Sequence, residues 1–168
     1  HISCRRQRQM CIRDSGNTVY FAASDGTNGY ELWKSDGTAS GTVMVKDINS
    51  GSGNGGGAAG AAIGSTLYFR ATDGTHGFEL WKSDGTASGT VMVKDINSTG
   101  DGCYSYCSMR AVGNTLYFIA NEPTHGVELW KSDGTASGTV MVKDINSGSG
   151  WGWPSTVSYT HLTLPTTG

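Results

Sequence analysis

Proline, charge and long apolar runs are all scarce in this chain of 168 residues. The 3 prolines exclude a proline-rich linker, and charged residues make up 15%, below the usual quarter. No apolar stretch approaches the roughly 20 residues that a membrane-spanning helix requires. No apolar core follows the N-terminal arginines, so no signal peptide is recognisable. These absences predict a protein without a membrane span.

Glycine, by contrast, is abundant at 26 residues. Aromatic and β-branched residues recur in short runs between the glycines, which is typical of strands joined by tight turns. Residues 58–62 form an alanine-rich patch, but Gly60 interrupts it and it is too short for a stable helix. The composition therefore predicts an all-β chain.

The two ends of the chain are predicted not to be native protein. Residues 5–15 (RRQRQMCIRDS) back-translate to a DNA string that resembles a transposon-end adaptor used to prepare sequencing libraries. The reverse complement of that string, read in frame, translates to VSYTHLTLPT, the residues 157–166. Since the ends are inverted copies of one DNA element, we exclude residues 1–15 and 157–168 from the interpretation of the fold.

This exclusion changes the charge balance. Four arginines and Asp14 leave the count, so eight basic residues remain against thirteen acidic ones, a net charge of −5 instead of −2. Proteins that bind nucleic acid need clustered cations. The sequence therefore predicts no nucleic-acid partner.

One string, ELWKSDGTASGTVMVKDINS, occurs three times, at Glu31–Ser50, Glu79–Ser98 and Glu128–Ser147. The copies are offset by 48 and 49 residues, and a weaker match precedes each of them. The whole repeat is therefore about 48 residues long, a period that is typical of repeat architectures.

Each repeat is predicted to contain four antiparallel strands. In the second repeat, Thr66–Ala71, Phe78–Ser83 and Thr90–Ile96 are runs rich in β-branched and aromatic residues, bounded by glycine and Asp-Gly turns. The remaining strand is clearest in the third repeat, where Ser108–Val112 precedes a Gly113-Asn114 hairpin turn. Four strands in about 48 residues match one blade of a β-propeller. The predicted fold is a partial, open β-propeller of about three four-stranded blades.

The spacing E-L-W-x-x-D-G-T resembles that of the ELWxxDGT repeat family of large bacterial proteins. The matching residues are Glu31-Leu32-Trp33 and Asp36-Gly37-Thr38, with counterparts at 79–86 and 128–135. The resemblance implies a long multi-repeat protein, secreted or on the cell surface, with a propeller-like fold and no established catalytic residues. The partners that it implies are the remaining blades of a longer parent chain.

The repeat divides the chain into consecutive segments. Repeat 1 is expected at 16–50 without its first strand, repeat 2 at 51–98 and repeat 3 at 99–147. Residues 148–156 are expected to begin a truncated repeat 4. Because three blades do not close a ring, the sequence predicts apolar outer faces in contact with water.

Tryptophans provide two kinds of candidate. Trp33, Trp81 and Trp130 hold the same place in each repeat, where packing between blades is favoured over a ligand-stacking ring. Trp151 and Trp153 lie in a glycine-rich stretch and are candidate contacts for a ligand such as a sugar.

The recurrent acidic residues also have two interpretations. Asp36, Asp84 and Asp133 could supply oxygen ligands to Ca²⁺, but the spacing of a calcium-binding loop is absent and aspartate favours turns for its own reasons. No cofactor is predicted, with Ca²⁺ as the alternative. The recurrent glutamates are expected to pair with lysines across strands. These pairs would join Glu31, Glu79 and Glu128 to lysines such as Lys46, Lys94 and Lys143.

Three further features, a pair of cysteines, a glycine motif and two histidines, do not predict a specific function. In an extended strand the Cα atoms of Cys103 and Cys107 would lie about 13 Å apart, too far for a disulfide. A bridge would require a turn, so a disulfide and free thiols both remain open. Residues 50–60 contain G-x-G-x-x-G without a βαβ unit and are interpreted as a flexible loop. His76 and His125 occupy equivalent places and are expected in solvated loops.

No nucleophile motif, P-loop or catalytic carboxylate pair is recognisable, so the sequence predicts no enzymatic activity. It favours a non-catalytic, extracellular interaction or structural module that binds carbohydrate or protein. Ligand specificity is expected in the variable segments Gly51–Ser65 and Thr99–Asn114. The alternative is a calcium- or carbohydrate-binding propeller that accompanies an enzyme elsewhere in the parent chain.

Overall fold

The computed structural model describes residues 13–14, 18–104, 107–150 and 152. Within these ranges the chain is all-β, as predicted, and contains no helix. No helix that is both long and apolar enough to cross a membrane occurs in them. The strands form three separate four-stranded antiparallel sheets.

The strands of each sheet follow one another along the chain, and each pairs with the next. The first sheet contains β1 (Arg13–Asp14), β2 (Val19–Ala23), β3 (Glu31–Ser35) and β4 (Val43–Lys46). The second contains β5 (Gly56–Ile63), β6 (Thr66–Ala71), β7 (Glu79–Ser83) and β8 (Val91–Lys94). The third contains β9 (Met109–Val112), β10 (Thr115–Glu122), β11 (Gly126–Ser132) and β12 (Val140–Lys143).

The identical 20-residue strings fold identically. In each sheet an Asp-Gly turn follows the third strand, and its glycine has φ between 88° and 92° at Gly37, Gly85 and Gly134. Glycine adopts this region without steric cost, which explains the Asp-Gly pair in the turn. The register also shifts in each sheet between the leucine and the tryptophan of ELW.

The sheets pack face to face, with the second sheet between the other two. Period-two alternation gives the second sheet two apolar faces, because Phe69 and Trp81 contact the first sheet while Tyr68 and Leu80 contact the third. We call the two contacts the first and second seams. The first seam contains Tyr20, Leu32, Val45, Ile48, Leu67, Phe69, Ala71 and Trp81. The second contains Ala61, Tyr68, Leu80, Val93, Ile96, Cys103, Cys107, Met109, Leu116, Phe118, Ala120 and Trp130.

Two sequence expectations differ from the structure. The interpretation of residues 50–60 as a flexible loop is wrong from Gly56 onward, because β5 begins there. Its small residues permit close approach: a Cβ at Gly57 would lie 3.3 Å from the Leu32 side chain, and one at Gly60 would collide with the Tyr68 carbonyl. The first sheet also has an opening strand, Arg13–Asp14, which belongs to the adaptor-like residues 1–15 and was not expected in the fold.

Candidate functional site

A buried glutamate stands at the centre of each connection between sheets. Glu79 is 0% exposed, and its carboxylate accepts hydrogen bonds from the backbone N–H groups of Ile96 (2.9 Å), Asn97 (3.3 Å) and Gly102 (2.9 Å). Ile96 and Asn97 follow the last strand of the second sheet, and Gly102 precedes the first strand of the third. The carboxylate therefore holds the start of the connector and its middle, which bends it back towards the second sheet.

Glu31 repeats this arrangement one unit earlier. It is 0% exposed and accepts from the N–H groups of Ile48 (2.9 Å), Asn49 (3.4 Å) and Gly55 (2.8 Å). A Cβ at Gly55 would collide with the carboxylate, so the connector requires glycine at this point. Glu128 in the third sheet is also 0% exposed and accepts from the N–H of Asn146 at 3.2 Å.

The expected pairing of these glutamates with lysines is wrong. A buried carboxylate needs hydrogen-bond donors, and the connector supplies three backbone N–H groups to each of Glu31 and Glu79. Burial raises the pKa of Glu79 to about 7, although the hydrogen bonds from Ile96, Gly102 and Asn97 act to lower it. The pKa of Glu31 is raised for the same reason.

The lysines instead connect neighbouring sheets. Each donates to a backbone carbonyl of the next sheet, and all four distances are 2.8 Å. The pairs are Lys34 to Gly85 and Lys46 to Thr90 across the first seam, and Lys82 to Gly134 and Lys94 to Thr139 across the second. Both seams use two lysine donors and two carbonyl acceptors at equivalent positions, so the second seam repeats the hydrogen bonds of the first.

The repeated tryptophans lie inside these seams. Trp81 and Trp130 are each 6% exposed, whereas Trp33, which has no preceding sheet beside it within the described ranges, is half-buried. The ammonium groups of Lys46 and Lys94 lie 6.0 Å and 5.7 Å from the ring centres of Trp81 and Trp130. Each indole N–H is buried without a hydrogen-bond partner in the described residues, so the rings contribute packing.

The three candidate calcium ligands serve their own turns. The Oδ1 atom of Asp84 accepts from the backbone N–H (2.8 Å) and the hydroxyl (2.7 Å) of Thr86, and Asp36 and Asp133 repeat this geometry. The threonine hydroxyl, then its N–H, lowers the pKa of each aspartate. In the part of the chain that the structure describes, no group of three or more His, Cys, Asp or Glu residues could hold a metal ion.

A groove of about 350 Å³ lies where the second seam opens to solvent. Its walls include Tyr68, Lys82, Val91 and the carboxylates of Asp84 and Asp133. Sequence reasoning missed this groove, because Asp84 and Asp133 are 49 residues apart and only the stacking of sheets brings their turns together. The groove therefore places two hydrogen-bond acceptors, Asp84 and Asp133, beside the donor Lys82.

The variable segment before the third sheet is tied down by a disulfide and by Arg70. Cys103 and Cys107 form a disulfide across a turn, in which the N–H of Cys107 donates to the Tyr104 carbonyl at 2.8 Å. Their Cα atoms are 5.2 Å apart. The turn resolves the choice between a disulfide and free thiols. Arg70 donates from Nε to the Cys103 carbonyl at 2.5 Å, and its guanidinium lies 3.8 Å from Asp101.

The histidines occupy exposed loops and bind acidic neighbours. Nδ1 of His76 lies 2.8 Å from Oδ2 of Asp73, and His125 is hydrogen-bonded to Glu122 in the same way. In the first sheet Asn28 makes the equivalent bond to Asp25 at 2.9 Å. The hydrogen bond to the acid, followed by its charge, raises the pKa of His76.

The other predicted ligand contacts, Trp151 and Trp153, lie outside the described residues. What the structure defines is an all-β chain of three successive sheets joined by two equivalent seams. No protein-family model matches the chain, and no curated protein matches it.

Proposed function

We propose that the chain is a non-catalytic interaction or structural module whose three sheets are consecutive blades of a β-propeller. The observation that carries the proposal is the repetition of the seam, in which the same lysines, carbonyls and tryptophan join each sheet to the next. A fixed relation between neighbours, applied repeatedly, generates a ring or a superhelix. Four strands per sheet and the resemblance to ELWxxDGT repeats favour the ring and an exported parent protein.

Distances between equivalent turns test this architecture. Spin labels would be placed in pairs at Ala39, Ala87 and Ala136, the exposed alanines of the three Asp-Gly turns, after Cys4 and Cys11 are replaced with serine. In a ring of four to eight blades the 39–136 distance is about 1.4 to 1.85 times the 39–87 distance. A ratio of about 2 would indicate a straight stack and would contradict the propeller.

The binding role is proposed for the variable segments. The connector before the third sheet is held by the Glu79 carboxylate, the disulfide and Arg70, so its outer residues are presented on a rigid support. Loops on such a scaffold are where binding residues concentrate. The segments differ between repeats, whereas the hydrogen bonds across the seams repeat, which allows each blade to bind a different surface.

The groove supports carbohydrate binding as a second candidate. It combines Lys82 with the side chains of Asp84 and Asp133, groups that suit sugar hydroxyls. Electrophoresis through gels that contain soluble polysaccharides separates the candidates. Retardation that Asp84→Asn and Asp133→Asn abolish, but Asp101→Asn does not, supports the groove; the reverse pattern supports the variable segment.

Calcium is tested directly by thermal unfolding with Ca²⁺ and with a chelator. We expect equal melting temperatures, because the Oδ1 atoms of Asp36, Asp84 and Asp133 already accept two hydrogen bonds each. A higher melting temperature in Ca²⁺ that Asp84→Asn removes would establish a calcium site instead.

A further inference from the structure

The three identical strings allow the exposure of equivalent side chains to be compared between sheet faces that have a neighbouring sheet and faces that have none in the described residues. On the face that receives lysines, Ser83 and Thr90 of the second sheet are 0% exposed, and Ser132 and Thr139 of the third sheet are also 0% exposed. The equivalent Ser35 and Thr42 of the first sheet are only half-buried, as is Trp33. The sequence is the same in all three places, so the difference arises because no sheet precedes the first one in the described part of the chain.

The opposite face shows the complementary difference. Val45 and Ile48 of the first sheet are 7% and 6% exposed, as are Val93 and Ile96 of the second. Their equivalents in the third sheet, Val142 and Ile145, are 46% and 56% exposed. Lys131 and Lys143 are also exposed there, and neither has an acceptor among the described residues, whereas all four of their equivalents have one.

We propose that the outer face of the third sheet binds the outer face of the first sheet of a second copy of this chain. This inference deepens the proposed function by naming a partner for the end sheets, and it rests on the seams described above. By equivalence with Lys82 and Lys94, Lys131 would donate to the Gly37 carbonyl of the second copy and Lys143 to its Thr42 carbonyl. Trp33 of that copy would lie beneath Lys143 and become buried.

The partner is a copy in head-to-tail orientation because the two outer faces differ. One face supplies lysine donors and exposed valine and isoleucine, and the other supplies carbonyl acceptors and a tryptophan. Contact between two third sheets would place ammonium groups against each other and leave every carbonyl unpaired. Two chains joined head to tail contain six sheets, a number within the four to eight of closed propellers.

Sedimentation velocity of the full chain over a range of concentrations tests the proposal. We expect reversible association to a dimer, weakened at least tenfold by Lys131→Gln combined with Lys143→Gln. Both lysines are exposed, so the double variant should keep its fold and its melting temperature in dilute solution. Arg110→Gln removes an exposed positive charge from another strand and is the control, with wild-type association expected. A monomer at all concentrations, or a dimer that the lysine changes leave intact, would overturn the proposal.

Mixing two variants tests the orientation. The lysine variant retains an intact first sheet, and Trp33→Ala retains an intact third sheet, so each variant alone lacks one side of the interface. We expect their mixture to associate through the remaining intact pair of faces. If wild type dimerises but the mixture does not, the head-to-tail arrangement is wrong. The spin-label ratio, measured in the monomeric lysine variant, reports on the propeller independently of this result.

Discussion

The backbone N–H of Gly102 donates to the carboxylate of Glu79 at 2.9 Å, which joins the connector before the third sheet to the second sheet. This contact explains a pairing that the sequence repeats, a glutamate followed 23 or 24 residues later by glycine. A buried carboxylate must have its oxygens satisfied. The small residue allows the chain to approach closely enough to do so.

Gly102→Ala should therefore destabilise the fold. A Cβ at this position would collide with the Glu79 carboxylate and displace at least one of its hydrogen bonds, at a cost of about 1–3 kcal/mol in the free energy of unfolding. Gly100→Ala is the matched control, because its nearest neighbour would be Nδ2 of Asn97 at 3.9 Å. We expect the control to lie within about 0.5 kcal/mol of wild type in urea unfolding. Equal losses in both variants would contradict the role given to the contact.

Lys82→Met should destabilise the chain, whereas Lys131→Met should not. The two lysines occupy the same place in identical strings, but only Lys82 donates to a carbonyl of a following sheet, that of the buried Gly134. Loss of this bond should cost about 1–3 kcal/mol, and the exposed Lys131 should change the free energy of unfolding by less than about 0.5 kcal/mol. Both would be measured in dilute solution, and similar values for the two variants would show that the seam bond is unimportant.

Reduction of the disulfide between Cys103 and Cys107 should lower the melting temperature. The cysteines are 4 residues apart, and closing so short a loop stabilises by about 2 kcal/mol, equivalent to about 4–8 °C. Cys103→Ala combined with Cys107→Ala is the control, since it keeps Cys4 and Cys11 but should not respond to reductant. A wild-type melting temperature that reductant leaves unchanged would contradict the prediction.

His76 and His125 should titrate above the usual histidine pKa of 6.5, because each bonds an acidic side chain three residues earlier. Since the folded pKa exceeds the unfolded one, the stabilisation is complete below pH 6.5 and is lost as the pH rises through the folded pKa. Asp73→Asn should lower the pKa of His76 and leave that of His125 unchanged in an NMR titration. A wild-type His76 that titrates at or below pH 6.5 would contradict the pairing.

Several strands were predictable because their residues are locally consistent with them. Thr66–Ala71 is predicted and observed with the same ends, since β-branched and aromatic residues fill it and glycine turns bound it. The predicted strands Phe78–Ser83 and Ser108–Val112 each begin one residue before the observed strand and end at the same residue. In such segments local preference and tertiary packing agree.

Other features depend on contacts that local sequence does not encode. β5 consists of glycine, alanine and one isoleucine, a composition with weak strand preference, and it is a strand because it fits closely against Leu32 and Tyr68. The sequence predicts an ion pair between Glu31 and a lysine on a neighbouring strand, because the burial of Glu31 is evident only in the structure. The acceptors of the lysines lie 44 to 52 residues further along the chain, beyond the reach of any local pattern.

Because the second seam contains the equivalent of every residue in the first, these shared contacts cannot by themselves distinguish the correct neighbouring sheet from a wrong one. The second and third sheets carry equivalent acceptors, so the lysines of the first sheet could bind either of them during folding. Docking of sheets in the wrong order is a failure typical of repeat proteins. The glutamate anchors oppose this error. Glu31 binds Ile48 and Gly55 at the two ends of the connector, which keeps the second sheet next to the first. The third sheet is then prevented from taking that place. The buried carboxylate thus preserves the order of the repeats, which their identical surfaces cannot specify.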